Sequence, residues 1–307
     1  MVKHYTNFNI QKIHKGSIIL IGNFDGVHLG HQKLFQLAQS YKKKYNLKIG
    51  VVNFDPMPKM FFNKKLKNFR LSNIDQKIKL LSNLKVDFVI TKKFDKKFSK
   101  TKALNFINQI LNKKLNSKFI FVSNNFRFGN KREGNVKLLI NYEKLFNYKV
   151  VKPEPLIRSS KIVSSSLIRN LLEKGFLDKA NNLLNRNWTI QGIVEKGRQL
   201  GKKIGFPTCN IDIQDYVLAR PGVYAVKVLR KNSNKYLKGI ANLGYRPTFN
   251  QKKLLLEVHL FNFSGNLYNK LLSVEFLKFI RKEKKFKNVN QLKAQIKKDL
   301  NIAKKTK

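Results

Sequence analysis

The 307-residue sequence has little cysteine, few acidic residues and no long apolar run. Its one cysteine, Cys209, excludes an internal disulfide and predicts a reducing compartment, the cytoplasm. Because no run of about 18 apolar residues is present, we expect no membrane-spanning helix. The N-terminal stretch 1–16 also lacks the apolar centre of a secretory signal. The sequence therefore predicts neither a disulfide-rich secreted domain nor a helical membrane protein.

Acidic residues are scarce, since 17 Asp and Glu stand against 64 Lys and Arg, a formal net charge of +47. A charge of this size is typical of nucleic-acid-binding proteins. However, only 11 of the 64 basic residues are Arg, the residue that favours base readout, and the Lys are spread along the whole chain. AT-rich coding DNA produces the same excess of Lys, Asn, Ile and Phe. We therefore expect no specific nucleic-acid partner, although the charge favours anionic small substrates.

The first part of the chain alternates strand-like and helical patterns, which predicts crossover connections and a parallel sheet. The strand-like stretches are 17–22, 48–54, 87–91, 118–123 and 148–153. The helical stretches are 31–45, 74–84, 101–115 and 135–146, followed by two short ones at 165–175 and 177–185.

The pattern changes near residue 188, after which strand-like runs are separated by Gly, Asn, Ser and Pro. These runs are 188–197, 222–230, 237–244, 254–263 and 271–280, and a helical pattern at 288–305 follows them. They predict an antiparallel sheet or small barrel with a C-terminal amphipathic helix. The length suits two domains, for which we predict bounds of 1–185 and 186–307.

The stretch "GNFDGVHLGH" (22–31) lies between a predicted strand and a predicted helix. Its glycines allow the backbone to approach a phosphate, and the helix N-terminus offers free N–H groups. His28 and His31 lie where both can contact the same ligand. A structural role for the two histidines is the alternative, whereas zinc is disfavoured because no cysteine lies nearby to complete a ligand set.

A second polar stretch, "VSSSLIR", opens the helical pattern that begins near residue 165. Ser164 or Ser165 can cap the helix, and Ser166 with Arg169 can bind a phosphate at its positive end. A plain helix cap with a solvated arginine is the alternative.

The second half contains a glycine-broken basic stretch, "GRQLGKKIGFPTCNID" (197–212). Thr208 and Asn210 are two residues apart, so an extended backbone turns both oxygens to one face, and hard oxygen ligands suit Mg²⁺. Further on, Glu257 alternates with Leu256 and Val258 and could accept a proton from an attacking hydroxyl. An ordinary turn and a solvated glutamate are the alternatives.

These stretches together resemble the bacterial bifunctional riboflavin kinase/FAD synthetase family over nearly the whole chain. The first half is similar in "GNFDGVHLGH", "VNFDPMPKMFF", "VSNNFRFGNKREGNVKLL" and "IVSSSLIRNLLEKG". The second half is similar in "GRQLGKKIGFPTCNID", "RPGVYAV", "GIANLGYRPTF", "LEVHLFNF" and "FIRKEKKF". The resemblance implies an α/β Rossmann-like nucleotidyltransferase domain followed by a small antiparallel riboflavin-kinase-like β-barrel with a C-terminal helix.

The resemblance also implies two reactions: riboflavin + ATP → FMN + ADP, and FMN + ATP → FAD + pyrophosphate, with Mg²⁺. It gives catalytic roles to His28, His31 and Glu257, flavin contacts to Asn125 and Phe206, and the metal to Thr208 and Asn210. The residues it assigns to ATP or its phosphates are Gly22, Asn23, Phe24, Asp25, Gly30, Ser164, Ser165, Ser166, Arg169, Gly201, Lys203 and Gly205.

Several positions depart from the family pattern. Met57 replaces a usual His, Ser123 a Gly, Asn135 an Asp and Ser166 a Thr, but the residues given catalytic or metal-binding roles are all present. A transferase for another nucleotide, a nucleic-acid-binding protein on the same fold and a chain with one inactive domain are the competing hypotheses. The sequence predicts no particular oligomeric state.

Overall fold

The computed structural model describes residues 2–197, 200–213, 215–231, 233–247 and 252–306. The chain forms two compact units, the first of Met1–Lys67 with Ile74–Ser164, the second of Asn68–Asn73 with Ser165–Lys307. The predicted functional division at 185/186 stays a prediction, because packing alone does not assign residues to a reaction.

The first unit consists of a parallel sheet with helices and two small hairpins. Its strands are β1 (Lys3–Tyr5), β2 (Ile18–Ile21), β3 (Ile49–Asp55), β4 (Phe88–Lys93), β5 (Phe119–Phe121), β6 (Arg127–Phe128), β7 (Gly134–Asn135), β8 (Lys149–Val151), β9 (Ile157–Arg158) and β10 (Lys161–Ile162). Its α-helices are α1 (Leu29–Tyr45), α2 (Pro58–Phe62), α3 (Ile74–Asn83), α4 (Lys96–Ser99), α5 (Ala103–Asn105), α6 (Val136–Asn141) and α7 (Glu143–Phe146).

The parallel sheet has the strand order β1-β4-β3-β2-β5-β8. Side chains alternate along β2, so that Ile18 and Leu20 pack in one buried cluster while Ile19 and Ile21 pack in another. Apolar layers on both faces explain why this strand reads as an uninterrupted apolar run. The predicted α/β fold with a parallel sheet is confirmed.

Several elements of this unit differ from the sequence-based prediction, among them the helix at 101–115 and strand β1. The helix predicted over 101–115 is α5 followed by a π-helix, Phe106–Lys114, which buries Phe106, Ile107, Ile110 and Leu111. Strand β1 was not predicted, because it is short and mostly exposed and pairs with the edge of β4 through its backbone.

The second unit is a closed antiparallel barrel with strand order β11-β12-β15-β14-β13-β16. Its strands are β11 (Thr189–Glu195), β12 (Cys209–Asp212), β13 (Gly222–Arg230), β14 (Tyr236–Pro247), β15 (Lys252–Leu260) and β16 (Leu271–Arg281). Its helices are α8 (Ser165–Glu173), α9 (Leu177–Leu184), α10 (Leu200–Lys203) and α11 (Val289–Lys305). The predicted barrel and C-terminal helix are confirmed.

The barrel interior and its outer face carry separate apolar clusters. Inward-facing Tyr224, Leu256 and Val274 share a core with residues of α8 and α9. On the outer face, Val223, Ala225 and Ile240 pack against Ala303 of α11. The C-terminal helix therefore covers one outer face of the barrel.

The short segment Asn68–Asn73, which we call the strap, belongs to the second unit although it lies between α2 and α3 in sequence. Leu71 is buried in the barrel core, and its carbonyl oxygen accepts a hydrogen bond from Trp188 Nε1 at 3.1 Å. Val217 N donates to Arg70 O at 2.7 Å. Among the described residues no helix is long and apolar enough to span a membrane.

Candidate active sites

The glycine-broken turn follows β2 at the carboxyl edge of the parallel sheet. The chain passes from β2 to β3 on one side, while β5 pairs with β2 on the other, so this edge is a topological switch point, where such sheets bind ligands. The loop with Asn125 follows β5 at the same edge. The fold therefore brings both stretches of the first half to one end of neighbouring strands.

The two histidines form one stacked pair. His28 precedes α1 as its N-cap, and its Nδ1 accepts a hydrogen bond from His31 N at 3.4 Å. The ring centroids lie 3.7 Å apart with 20° between the planes. His28 Nδ1 is thus an acceptor in this contact.

His31 is an uncharged group at neutral pH. Burial of the imidazole lowers its pKa well below the usual 6.5, and the neighbouring His28 and Lys77 lower that pKa further. Its Nδ1 is buried and has no hydrogen-bond partner. The ring can therefore form a hydrogen bond with a ligand, but it carries no positive charge.

The glycines of this turn serve its internal packing. A Cβ at Gly22 would lie 3.1 Å from the Phe24 ring, and a Cβ at Gly30 would lie 3.2 Å from both the His28 ring and Val163 O. The predicted role of these glycines, close approach of the backbone to a phosphate, stays a prediction. Phe24 itself is buried at 3% exposure, so a contact with ATP would come from its backbone.

The remaining predicted residues of the adenylyl site are divided between the units. Asp25 is buried and Asn23 exposed in the first unit, where Ser164 is the last residue. Ser165, Ser166 and Arg169 lie on α8 in the second unit and are described there.

Arg169 is not a solvated arginine. It is 7% exposed, its Nε donates to Phe69 O at 2.7 Å, and its guanidinium carbon lies 3.7 Å from the centre of the Phe69 ring. The strap therefore holds the guanidinium end of this side chain.

Asn125 lies exposed on the loop after β5, where its Oδ1 accepts a hydrogen bond from Ser123 Oγ at 2.9 Å. Ser123, one of the departures from the family pattern, thus fixes the orientation of the amide. Asn135, another departure, caps α6 by accepting a hydrogen bond from Leu138 N at 2.9 Å. An asparagine performs this cap as well as an aspartate does.

A phenylalanine cluster that the sequence motifs did not predict lies at the same sheet edge. It comprises Phe54, Phe61, Phe62, Phe94 and Phe98, whose contacting ring centroids lie 5.2 to 5.9 Å apart. Phe62 is 69% exposed. The signal was present, because "VNFDPMPKMFF" and "KKFDKKF" place these rings at or after the ends of the adjacent strands β3 and β4.

The second unit contains a cavity of about 590 Å³ between the outer face of the barrel and α11. Thr208, Asn210, Glu257 and Phe206 all line it, so the structure brings together predicted residues from two separate stretches. Val289, Leu292 and Ile296 of α11 form an apolar wall. The cavity thus combines a polar barrel face with an apolar helix face.

Strand register explains the polar face. Asn210 and Asn242 are the cross-strand neighbours of Glu257 on β12 and β14, so the three side chains lie on one face of the sheet. Leu256 and Val258 point into the barrel core. The alternation predicted from the sequence is confirmed, and Asn242 is a neighbour that the sequence analysis did not identify.

The residues predicted for Mg²⁺ fit a hard cation. Asn210 is 6% exposed and its buried Oδ1 has no hydrogen-bond partner. Its amide packs directly on Gly197, where a Cβ would collide with Asn210 Nδ2. Thr208 contributes a hydroxyl oxygen to the same cavity, and these neutral oxygens suit Mg²⁺.

The turn before Thr208 is compact. A Cβ at Gly201 would collide with Phe206 O and lie 3.3 Å from Thr208 Oγ1, and Gly205 has a φ of +88°. The side chain of Lys203, a predicted phosphate-binding residue, lies outside the described part of the chain. Among the described residues no group of three His, Cys, Asp or Glu is arranged to hold a metal ion.

Comparison with known proteins identifies the two halves separately. A family model for FAD synthetase matches residues 10–167, and one for riboflavin kinase matches residues 184–307. A solved structure described as a macrolide-efflux protein from Streptococcus pneumoniae is 26% identical with a TM-score of 0.87, covering 100% of this chain and 99% of that one.

Curated relatives are similar along almost their whole length. The bifunctional riboflavin kinase/FMN adenylyltransferase of Buchnera aphidicola from Schizaphis graminum is 42% identical, covering 97% of this chain and 96% of the relative. The enzyme of Escherichia coli K12 is 38% identical over 93% of this chain and 91% of its own. The predicted family and function are confirmed: the chain belongs to the bifunctional riboflavin kinase/FMN adenylyltransferase family and makes FMN and FAD.

Proposed function

We propose that residues 1–185 adenylylate FMN and that residues 186–307 phosphorylate riboflavin. The matches of the two family models to separate halves of the chain support this division. The convergence of Thr208, Asn210 and Glu257 on one cavity is the single observation that carries the kinase assignment.

In the kinase reaction, Glu257 accepts the proton of the riboflavin hydroxyl as that oxygen attacks the γ-phosphorus of ATP. Glutamate suits this role because a carboxylate within hydrogen-bond reach acts as a general base. The ADP oxygen leaves as the new phosphate ester bond forms, and the products are FMN and ADP. Gly201, Lys203 and Gly205 belong to the stretch that binds the ATP phosphates.

Thr208 and Asn210 hold Mg²⁺ in this proposal. Bound there, the ion supplies charge neutralisation for the ATP phosphates. The unpartnered Oδ1 of Asn210 supports the assignment, since a buried oxygen without a partner is costly unless a ligand satisfies it.

The apolar wall formed by α11 is suited to the flavin ring system, with Phe206 at its edge. Riboflavin is uncharged, and its rings can bury against Val289 and Leu292 while the hydroxylated chain reaches the polar barrel face. The same cavity therefore accommodates both the apolar and the reacting end of the substrate.

In the adenylyl reaction, a phosphate oxygen of FMN attacks the α-phosphorus of ATP, and pyrophosphate leaves. No protein nucleophile is needed, so the residues act by alignment and by hydrogen bonding to the developing charge. We assign His28 and His31 to the ATP phosphates, His31 as an uncharged hydrogen-bonding ring. Gly22, Asn23, Phe24, Asp25 and Gly30 form the turn that presents them. The resemblance to the family assigns Ser164, Ser165, Ser166 and Arg169 to phosphate binding.

The flavin of FMN binds at the phenylalanine cluster in this proposal, at the same sheet edge as the loop with Asn125. The exposure of Phe62 supports it, since an exposed aromatic ring beside further rings is suited to stacking on a flat heterocycle. The reaction takes place in the cytoplasm, as the single cysteine suggests.

Substitution of Thr208 tests the metal assignment. Thr208→Val removes the hydroxyl at nearly constant size, so we expect the Mg²⁺ concentration for half-maximal riboflavin phosphorylation to rise at least about tenfold. FMN adenylylation by the same preparation is the control for folding. An unchanged Mg²⁺ dependence of the kinase would contradict the assignment.

A further inference from the structure

His259 lies on β15 two residues after Glu257 and lines the same cavity. Its Nδ1 is 2.8 Å from the carbonyl oxygen of Pro207. A carbonyl oxygen can only accept a hydrogen bond, so Nδ1 of His259 carries a proton and donates it. This side chain therefore links the barrel to the turn that precedes Thr208.

The link lies where the barrel ladder ends. The first paired residue of β12 is Cys209, opposite Val258, and Thr208 and Pro207 precede it. By donating to Pro207 O, the His259 side chain extends the attachment of this chain segment to β15 by two residues. It fixes the carbonyl group of the Pro207–Thr208 peptide bond, which directly precedes the Cα atom that carries the Thr208 side chain.

Neighbouring groups hold both ends of this link. The His259 ring meets the Phe206 ring edge to face, with centroids 5.8 Å apart, and lies 6.2 Å from the Phe261 ring. On the other side, Phe206 N donates to Gly201 O at 2.8 Å, which closes the turn. The hydrogen bond itself is exposed, with two aromatic rings beside it.

We propose that His259 is a positioning residue of the kinase, which holds the Pro207–Thr208 peptide so that the Thr208 hydroxyl faces the cation of Mg-ATP. The proposal rests on the proposed role of Thr208. It differs from an acid/base role, because a positioning role needs the donor at Nδ1 and does not need a basic ring.

Two substitutions separate the donor from the ring. His259→Phe keeps a planar ring beside Phe206 and Phe261 but removes the donor. His259→Asn removes the ring but keeps an N–H donor at the same distance along the side chain as Nδ1. The kinase is measured as initial rates of riboflavin phosphorylation at varied Mg²⁺ and ATP.

For His259→Phe we expect the half-maximal Mg²⁺ concentration and the KM for ATP to rise about tenfold, with kcat changed by less than about threefold. For His259→Asn we expect both constants to stay within about threefold of those of the unmodified protein. FMN adenylylation by the same preparations serves as the control for an intact chain.

The proposal is overturned if His259→Phe keeps the original Mg²⁺ and ATP dependence, or if His259→Asn is as impaired as His259→Phe. A loss of kcat in both variants at unchanged KM would indicate a basic ring instead. The Thr208→Val variant separates this failure from that of the proposed metal site. If Thr208→Val alone shifts the Mg²⁺ dependence, only the His259 inference fails, whereas an unaffected Thr208→Val removes its foundation.

Discussion

In both candidate sites one polar side chain packs so closely on a glycine that a larger residue at the glycine position would force that side chain to move. The His28 ring fills the space over Gly30, and the Asn210 amide fills the space over Gly197. Neither contact follows from the sequence, because each joins residues whose proximity depends on backbone conformation. The residue types in the sequence predicted the chemistry, and the structure supplies the steric reason for the glycines.

Gly197 tests this steric reason in the kinase site. Gly197→Ala places a Cβ against Asn210 Nδ2, so the amide must move and its Oδ1 turns away from the proposed cation. We expect riboflavin phosphorylation at limiting Mg²⁺ to fall at least about tenfold, with FMN adenylylation unchanged. Kinase activity with the original Mg²⁺ dependence would show that Asn210 does not need its observed position.

His31 makes stability depend on pH in a predictable direction. Its pKa in the folded chain is well below 6.5, the ordinary value that applies after unfolding, so below that pH the unfolded chain binds the additional proton. The free energy of unfolding therefore falls as the pH drops below about 6.5.

Urea unfolding at pH 7.5 and pH 5.5 measures this effect. We expect His31→Gln to lose less stability between these two pH values than the unmodified protein does, since the substituted residue does not titrate. An equal loss in the two proteins would contradict the buried, uncharged state of His31.

Among the elements, α11 is attached to the barrel by a buried ion pair. Arg281 of β16 contacts both carboxylate oxygens of Asp299, with Nε at 2.9 and 3.1 Å, and Asp299 is 1% exposed. Gln295 Nε2 donates to the same carboxylate at 2.9 Å. The pair lines the kinase cavity and fixes the helix that forms its apolar wall.

Removing one partner of this pair leaves the other charge buried without compensation, which typically costs about 3–5 kcal/mol. We therefore expect Asp299→Ala to lower the unfolding free energy by that amount. We also expect the variant to lose riboflavin phosphorylation while it retains FMN adenylylation. The exposed neighbour Lys298 provides the control, because Lys298→Ala should change stability by less than about 0.5 kcal/mol. Equal effects of the two substitutions would contradict the role of the ion pair.

The elements with strong apolar periodicity could be predicted from the sequence, and the others could not. Strand β2 and the barrel strand β13 carry their burial pattern in their own residues. Strand β12 lies in a glycine-rich basic stretch for which an extended segment and an ordinary turn were both open, because backbone pairing with β11 and β15 defines it. The strap was missed for a similar reason, since its main-chain groups bond to distant residues.

The residues of the candidate sites also fall into those that the sequence could predict and those that it could not. Residues close together in sequence, such as Thr208 and Asn210, were predicted to act together, and they line one cavity. Partners supplied by strand register, such as Asn242 beside Glu257, required the barrel. The sequence could not predict the π-helix Phe106–Lys114 either, because the spacing of apolar residues does not distinguish a π-helix from an α-helix over so short a segment.

For the whole molecule, one chain carries two consecutive reactions, in which the product of the kinase is the substrate of the adenylyltransferase. The dispersed lysines, which give a net charge of +47, favour the anionic substrates, which are ATP in both reactions and FMN in the second. The central claim is that the two reactions use separate sets of residues, His28 and His31 for one and Glu257 for the other.

The most direct test follows both flavins by chromatography after mixing each protein with ATP and Mg²⁺. With riboflavin, the unmodified chain should yield FMN and then FAD, while His28→Ala should accumulate FMN without FAD. With FMN supplied, Glu257→Gln should still form FAD, although it forms no FMN from riboflavin. FAD synthesis by His28→Ala at the rate of the unmodified protein, or riboflavin phosphorylation by Glu257→Gln, would contradict the account.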